Sequence, residues 1–79
     1  MYNTAENMED LDMVDELLSY DSVLGVEEHH QILDDDHKDA DFVICVRDFS
    51  EFEAIESLLT QSGYTAYVTD YESEEIKIN

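Results

Sequence analysis

Between Thr4 and Ser19 the apolar residues Met8, Leu11, Val14, Leu17 and Leu18 recur at helical spacing, and Asn3 or Thr4 can cap the start of the amphipathic helix they predict. From Ser22 to Leu33 the pattern is weaker. Val23, Leu24, Val26, Ile32 and Leu33 are interrupted by Gly25 and by the polar run from Glu27 to Gln31, which reads as a turn followed by a strand. The stretch Asp34 to Asp41 holds five aspartates, which disfavour helix interiors and strands alike, and it is expected to be an exposed loop. Phe42 to Arg47 is almost wholly apolar and β-branched, the pattern of a central strand covered on both faces. Ser50-Glu51-Phe52-Glu53 matches a capping box, and Phe52, Ile55, Leu58 and Leu59 form the stripe of a helix that ends at Ser62-Gly63, with Gly63 as a left-handed cap. Tyr64 to Tyr71 is rich in strand formers, and Ile76 to Ile78 follows a turn-like segment, so a closing hairpin is expected.

The resulting order is α-β-β-α-β-β in one small α+β domain spanning residues 1–79. If the strands at Phe42 and Tyr64 run parallel, the helix between them is a crossover, giving a mixed sheet with the helices packed on one face. Seventy-nine residues leave room for one such domain, and the 43% hydrophobic content and eight aromatics supply it with a core. Lone Cys45, inside the apolar run, is expected to be a buried, inert thiol in a reducing compartment. The first residues lack the basic and apolar regions of a signal peptide, and no apolar run reaches membrane-spanning length, so a cytoplasmic location is expected.

Charge changes the picture most. Twenty-two Asp and Glu stand against three basic residues, Lys38, Arg47 and Lys77, for a formal net charge of -19. Such self-repulsion opposes folding and disfavours direct contact with nucleic acid or anionic lipid, so the partner that electrostatics favours is a cationic protein surface. Fourteen of the acids lie in residues 1–41, where Lys38 is the sole Lys or Arg. The candidate partner-binding residues are therefore Glu6, Glu9, Asp10, Asp12, Asp15 and Glu16 on the first helix, Asp21 after it, and Asp34, Asp35, Asp36, Asp39 and Asp41 in the loop. Glu6 to Glu16 spans roughly 15 Å at helical rise. Its six carboxylates come within about a factor of two of the line charge of duplex DNA, and the loop or a second protomer in a homodimer could supply the other row. A surface that neutralises phosphates with Lys and Arg accepts carboxylates at similar spacing by the same charge-assisted hydrogen bonds.

Other chemistry is poorly supported. Glu27 and His30 have the i, i+3 spacing of a di-iron ligand pair, but no second copy is present. Counted from Asp34 as a calcium loop, the sixth position is Asp39 in place of Gly and the twelfth is Cys45 in place of Glu. No metal site and no cofactor are expected. His29, His30 and His37 lie among carboxylates, which favour the protonated ring. Without a glycine-rich phosphate loop or a nucleophile with a partnered base, the chain does not read as an enzyme. Tyr2, Tyr20 and Tyr71 could serve as apolar anchors at an interface, whereas Tyr67 is expected in the core.

In its size, its net charge and its lack of basic residues the whole chain resembles the acidic DNA-mimic inhibitor proteins, many of them encoded by bacteriophages. The resemblance carries no diagnostic motif and implies a mode of action more than a topology. It implies occupation of the DNA-binding surface of a basic host protein in the bacterial cytoplasm. An HU-like nucleoid protein with a basic saddle ranks first, followed by restriction, CRISPR, repair and transcription proteins. The alternative is an acidic interaction module or adaptor that binds a basic partner away from any DNA site. A third reading, the evenly acidic proteome of a salt-loving organism, fits less well with charge gathered in residues 1–41.

Overall fold

The strand-forming runs pair into one mixed sheet of order β1-β2-β3-β4 in a computed structural model, which describes residues 12–78. The strands are β1 (Val23–Glu28), β2 (Phe42–Val46), β3 (Ala66–Asp70) and β4 (Glu75–Ile78). Among the described residues, α1 is helical over 12–18, and α2 is Phe52–Ser62. β1 and β2 are antiparallel, β2 and β3 parallel, β3 and β4 antiparallel. A parallel pair cannot be joined by a tight turn, and α2 makes the crossover. This is the α+β domain read from the sequence, with its elements in the expected order; Thr4, Met8 and Leu11 of the expected first helix lie outside the described residues.

One side of the sheet is sealed by the two helices. Phe42, Ile44 and Val46 of β2, Ala66 and Val68 of β3, Ile78 of β4 and Val23 of β1 meet Met13 and Leu17 of α1 and Ile55 and Leu59 of α2 in a single cluster. Burying side chains of this kind contributes roughly 1.5–3 kcal/mol each, an upper bound relative to an extended chain. At the end of α2, Gly63 adopts φ 80°, and the amides of Gly63 and Tyr64 donate to the carbonyls of Thr60 and Leu59. Only glycine takes that conformation without a Cβ penalty, so the predicted left-handed cap is where it was expected. In the β3–β4 turn Asp70 Oδ1 accepts from the amides of Glu72 and Glu74, while Ser73 is held at φ 76°.

Several expectations are corrected. In residues 22–33 the strand comes first, at Val23–Glu28, and the 3-10 turn His29–Gln31 follows. The alternation was obscured by a β-bulge between Val23 and Gly25: Val23 faces Val46 and Val26 faces Ile44, so two residues three apart share the core side. Leu24, the extra residue, is exposed. Among the described residues β2 is not covered by helices on both faces. Its burial alternates, and Val43 and Cys45 are half-buried on the side away from α1 and α2. Cys45 is thus half-buried and not sealed. Tyr67 shares that open side and is not in the core.

The capping box does not form. No side chain caps α2, because Asp48 Oδ1 accepts the Ser50 amide at 3.0 Å and Glu51 Oε1 accepts the Ser22 amide at 2.9 Å. The hydroxyl and amide of Ser50 beside Asp48 hold its carboxyl below the usual range. Glu53 is exposed in the first turn, where its charge suits the helix dipole.

Candidate partner-binding surface

The carboxylates divide into two groups once their neighbours are known. Some hold the backbone: Asp34 Oδ1 accepts the Asp36 amide at 3.0 Å, and Asp41 Oδ2 accepts the amide of Thr65 at 2.8 Å and its hydroxyl at 3.3 Å. Asp48, Glu51 and Asp70 act likewise, and Glu75 holds His37. Glu28 lies 3.8 Å from His30 Nδ1, whereas Asp12, Asp15, Glu16, Asp21, Asp35, Asp36 and Asp39 are exposed, and among the described residues their carboxylates make no hydrogen bond or ion pair. Arg47 and Asp48, 4.0 Å apart and both more than half exposed, are the one Lys or Arg pair with a carboxylate among the described residues. This second group is charge that the fold does not use.

Topology decides where that charge goes. Because β1 and β2 are antiparallel, the connection from 29 to 41 lies at the end of the sheet where β2 begins. The crossover delivers the C-terminus of α2 to that same end, where β3 starts. Asp12, Met13 and Glu16 of α1 share an open groove there with Leu58, Ser62 and Tyr64. The aspartates of the connection and the described start of α1 thus gather at one end of the domain. They lie on opposite sides of the sheet, however: α1 packs on the helical side, and the connection is drawn onto the open side. They do not form the single face expected of the first helix and the loop.

The connection is not a free loop. Its 3-10 turn Asp35–His37 starts at Asp34, Ala40 is fully buried, and the Asp41 amide donates to the Thr65 carbonyl at 2.9 Å. His29 Nδ1 lies 3.0 Å from the Ala40 carbonyl and closes its base. His37 reaches across the open side, with Nε2 at 2.6 Å from Glu75 Oε2, Nδ1 at 3.1 Å from Asp34 Oδ2, and its ring edge-on to Tyr67 at 4.9 Å. The hydrogen bond to Glu75, opposed by desolvation and helped by the charges of Glu75 and Asp34, raises the His37 pKa. Lys77 Nζ sits 5.7 Å from the Tyr67 ring centre.

Of the candidate residues, Asp12, Glu16, Asp34, Asp35, Asp36 and Asp39 lie at the shared end, with Asp15 one helical position before Glu16. Asp41 lies there too but is committed to Thr65. Asp21 stands at the far end, next to Ser22 and Glu51. Glu6, Glu9 and Asp10 lie outside the described residues. Leu58, Ser62 and Tyr64 were not picked out from the sequence. Leu58 belongs to the apolar stripe of α2 but stays half-buried at its margin, which periodicity cannot distinguish from a core position.

Among the described residues no group of three or more His, Cys, Asp or Glu side chains is placed to hold a metal ion, and no helix is long and apolar enough to cross a membrane. No family model matches the chain, and neither the comparison with curated proteins nor that with solved structures returns a match.

Proposed function

We propose that the protein is an inhibitor that occupies the DNA-binding surface of a basic protein, its carboxylates taking the place of backbone phosphates. The observation that carries this reading is the unused charge: exposed carboxylates that pair with no cationic side chain among the described residues gather at the end of the domain shared by α1 and the 29–41 connection. Ion pairs cannot account for them, and burial is not involved. Because they flank the sheet on both sides, the surface that accepts them is concave and grips the domain end from two sides, as a duplex-binding cleft grips two phosphate rows. An HU-like nucleoid protein, with its basic saddle, is the first candidate on the strength of the resemblance, ahead of restriction, CRISPR, repair and transcription proteins. Binding is non-catalytic and takes place in the cytoplasm.

The deciding experiment titrates the protein into a complex of the basic partner with labelled duplex DNA. Release of the DNA, with affinity falling about tenfold or more between roughly 50 and 200 mM salt, is the expected result. A ternary complex in which DNA and protein bind without weakening each other would instead identify an adaptor that docks elsewhere. Charge reversal of Asp12 and Glu16 together with Asp35 and Asp36 should weaken binding far more than reversal of Glu53 and Glu56. Glu51 is unsuitable as a control because it holds the Ser22 amide.

A further inference from the structure

The groove between α1 and α2 brings two carboxylates together with the half-buried apolar side chains of Leu58 and Tyr64. It encloses ≈ 380 Å³, open to solvent, with Asp12 and Glu16 on one side and Leu58, Ser62 and Tyr64 on the other, above nearly buried Met13. The second hollow, lined by Glu56, Ser57, Thr60 and Gln61, offers one carboxylate and no large apolar side chain. Asp35, Asp36 and Asp39 are exposed on a turn beside Leu33, which stands almost wholly in solvent and walls no groove with them.

Asp12 and Glu16 are four residues apart on α1, so they stand one turn apart on the same face. Like charges so placed repel, and a cation set between them removes that cost as well as adding its own attraction. We propose that this groove receives an arginine side chain of the basic partner, its guanidinium held between Asp12 and Glu16 and its methylene stem lying on Met13, Leu58 and Tyr64. The proposal rests on the reading of the protein as a ligand for a basic surface, and it names the side chain that surface inserts.

Arginine suits the site better than lysine for three reasons. Its planar guanidinium presents donors along two edges and can serve two carboxylates at once, whereas an ammonium is a compact point charge. It is also more weakly hydrated and so loses less on entering a half-apolar groove. Finally, the Tyr64 ring is fixed by an edge-to-face contact with Phe42 at 5.1 Å, which gives an aromatic wall against which a guanidinium plane can lie. The openness and small size of the groove suit one inserted side chain and not an enclosed metabolite.

The test uses the full chain and three blocked tripeptides, glycine-arginine-glycine and its lysine and citrulline counterparts, titrated at low salt and followed by amide chemical shifts. The expected result is saturable shifts at Asp12, Met13, Glu16, Leu58, Ser62 and Tyr64 with the arginine peptide, weaker binding of lysine, and none of citrulline. The double variant Asp12→Asn/Glu16→Gln should bind the arginine peptide about tenfold less tightly, while Asp35→Asn/Asp36→Asn should bind it as the parent does. A second variant, Ser62→Lys, leaves both carboxylates in place and sets a competing ammonium in the groove. It too should lose arginine binding, and its charge near the helix C-terminus suits the dipole.

Shifts centred elsewhere overturn the proposal, as does equal affinity for arginine in the parent and in whichever of these two groove variants keeps the parent spectrum. The DNA-competition experiment is read separately. If DNA and protein bind together but arginine still seats in the groove, mimicry fails and the groove stands; if DNA competes and the groove variants change nothing, the reverse holds.

Discussion

His37 is bonded in a way that only one of its protonation states satisfies, and this makes the tether of the 29–41 connection sensitive to pH. Both ring nitrogens face carboxylate oxygens, Glu75 at 2.6 Å and Asp34 at 3.1 Å, and a neutral imidazole can donate through one nitrogen only. The imidazolium is therefore the form that pins the connection to β4, with Tyr67 edge-on to the ring. The side chain of His37 is 13% exposed, but those of Glu75 and Asp34 are 42% and 56% exposed, so water screens both bonds. Two such bonds are worth about 1–2 kcal/mol in total, below the range for buried charged hydrogen bonds.

The sign follows from the raised pKa. The His37 contribution is fully present below the unfolded-state value near 6.5 and is lost as pH rises through the higher folded-state value. The dense negative charge also changes stability with pH, so the measurable quantity is the difference between the parent and His37→Gln. Urea unfolding should give a gap of about 1–2 kcal/mol at about pH 6 that shrinks toward zero by about pH 9. In parallel, amide protection of residues 35–40 should fall in His37→Gln at about pH 6 and match the parent at the higher pH. A gap of the same size at both pH values, or a His37 ring that titrates at or below 6.5, refutes the reasoning.

Three further outcomes follow from packing and backbone. Leu17 is fully buried between α1 and the sheet, so Leu17→Ala should cost about 2–5 kcal/mol, a large share of the stability of so small a domain, read as a lowered urea midpoint. Asp41→Ala removes the acceptor of the Thr65 amide and should cost about 1–2 kcal/mol, whereas Asp41→Asn keeps an acceptor oxygen and should retain most of that; equal losses in thermal melts would show that charge and not the hydrogen bond matters. Gly63 at φ 80° and Ser73 at φ 76° form an opposed pair: Gly63→Ala should lower stability by about 1 kcal/mol and Ser73→Gly should raise it by somewhat less, with melting temperatures moving in opposite directions.

Much of this molecule is set by features local to the chain. The α2 stripe of Ile55 and Leu59, the Gly63 cap and the β-branched run of β2 each depend on a few neighbouring residues, so element type and order could be read without knowing the partners. The excess of carboxylate over cation is likewise a property of composition, and no fold of these residues could neutralise it internally. What needed three dimensions was the use of each residue. The β1 bulge, which brings Val23 and Val26 to one side, is visible only against β2. Asp41 and Glu51 look like any other acid in the chain, yet each caps an amide more than twenty residues away, at Thr65 and Ser22. Carboxylates are interchangeable in composition but not in position. Strand pairing, and not the spacing of acids along the chain, brings Asp12 and Asp39 to one end of the domain, sends Asp21 to the other and draws the aspartate connection away from the helices.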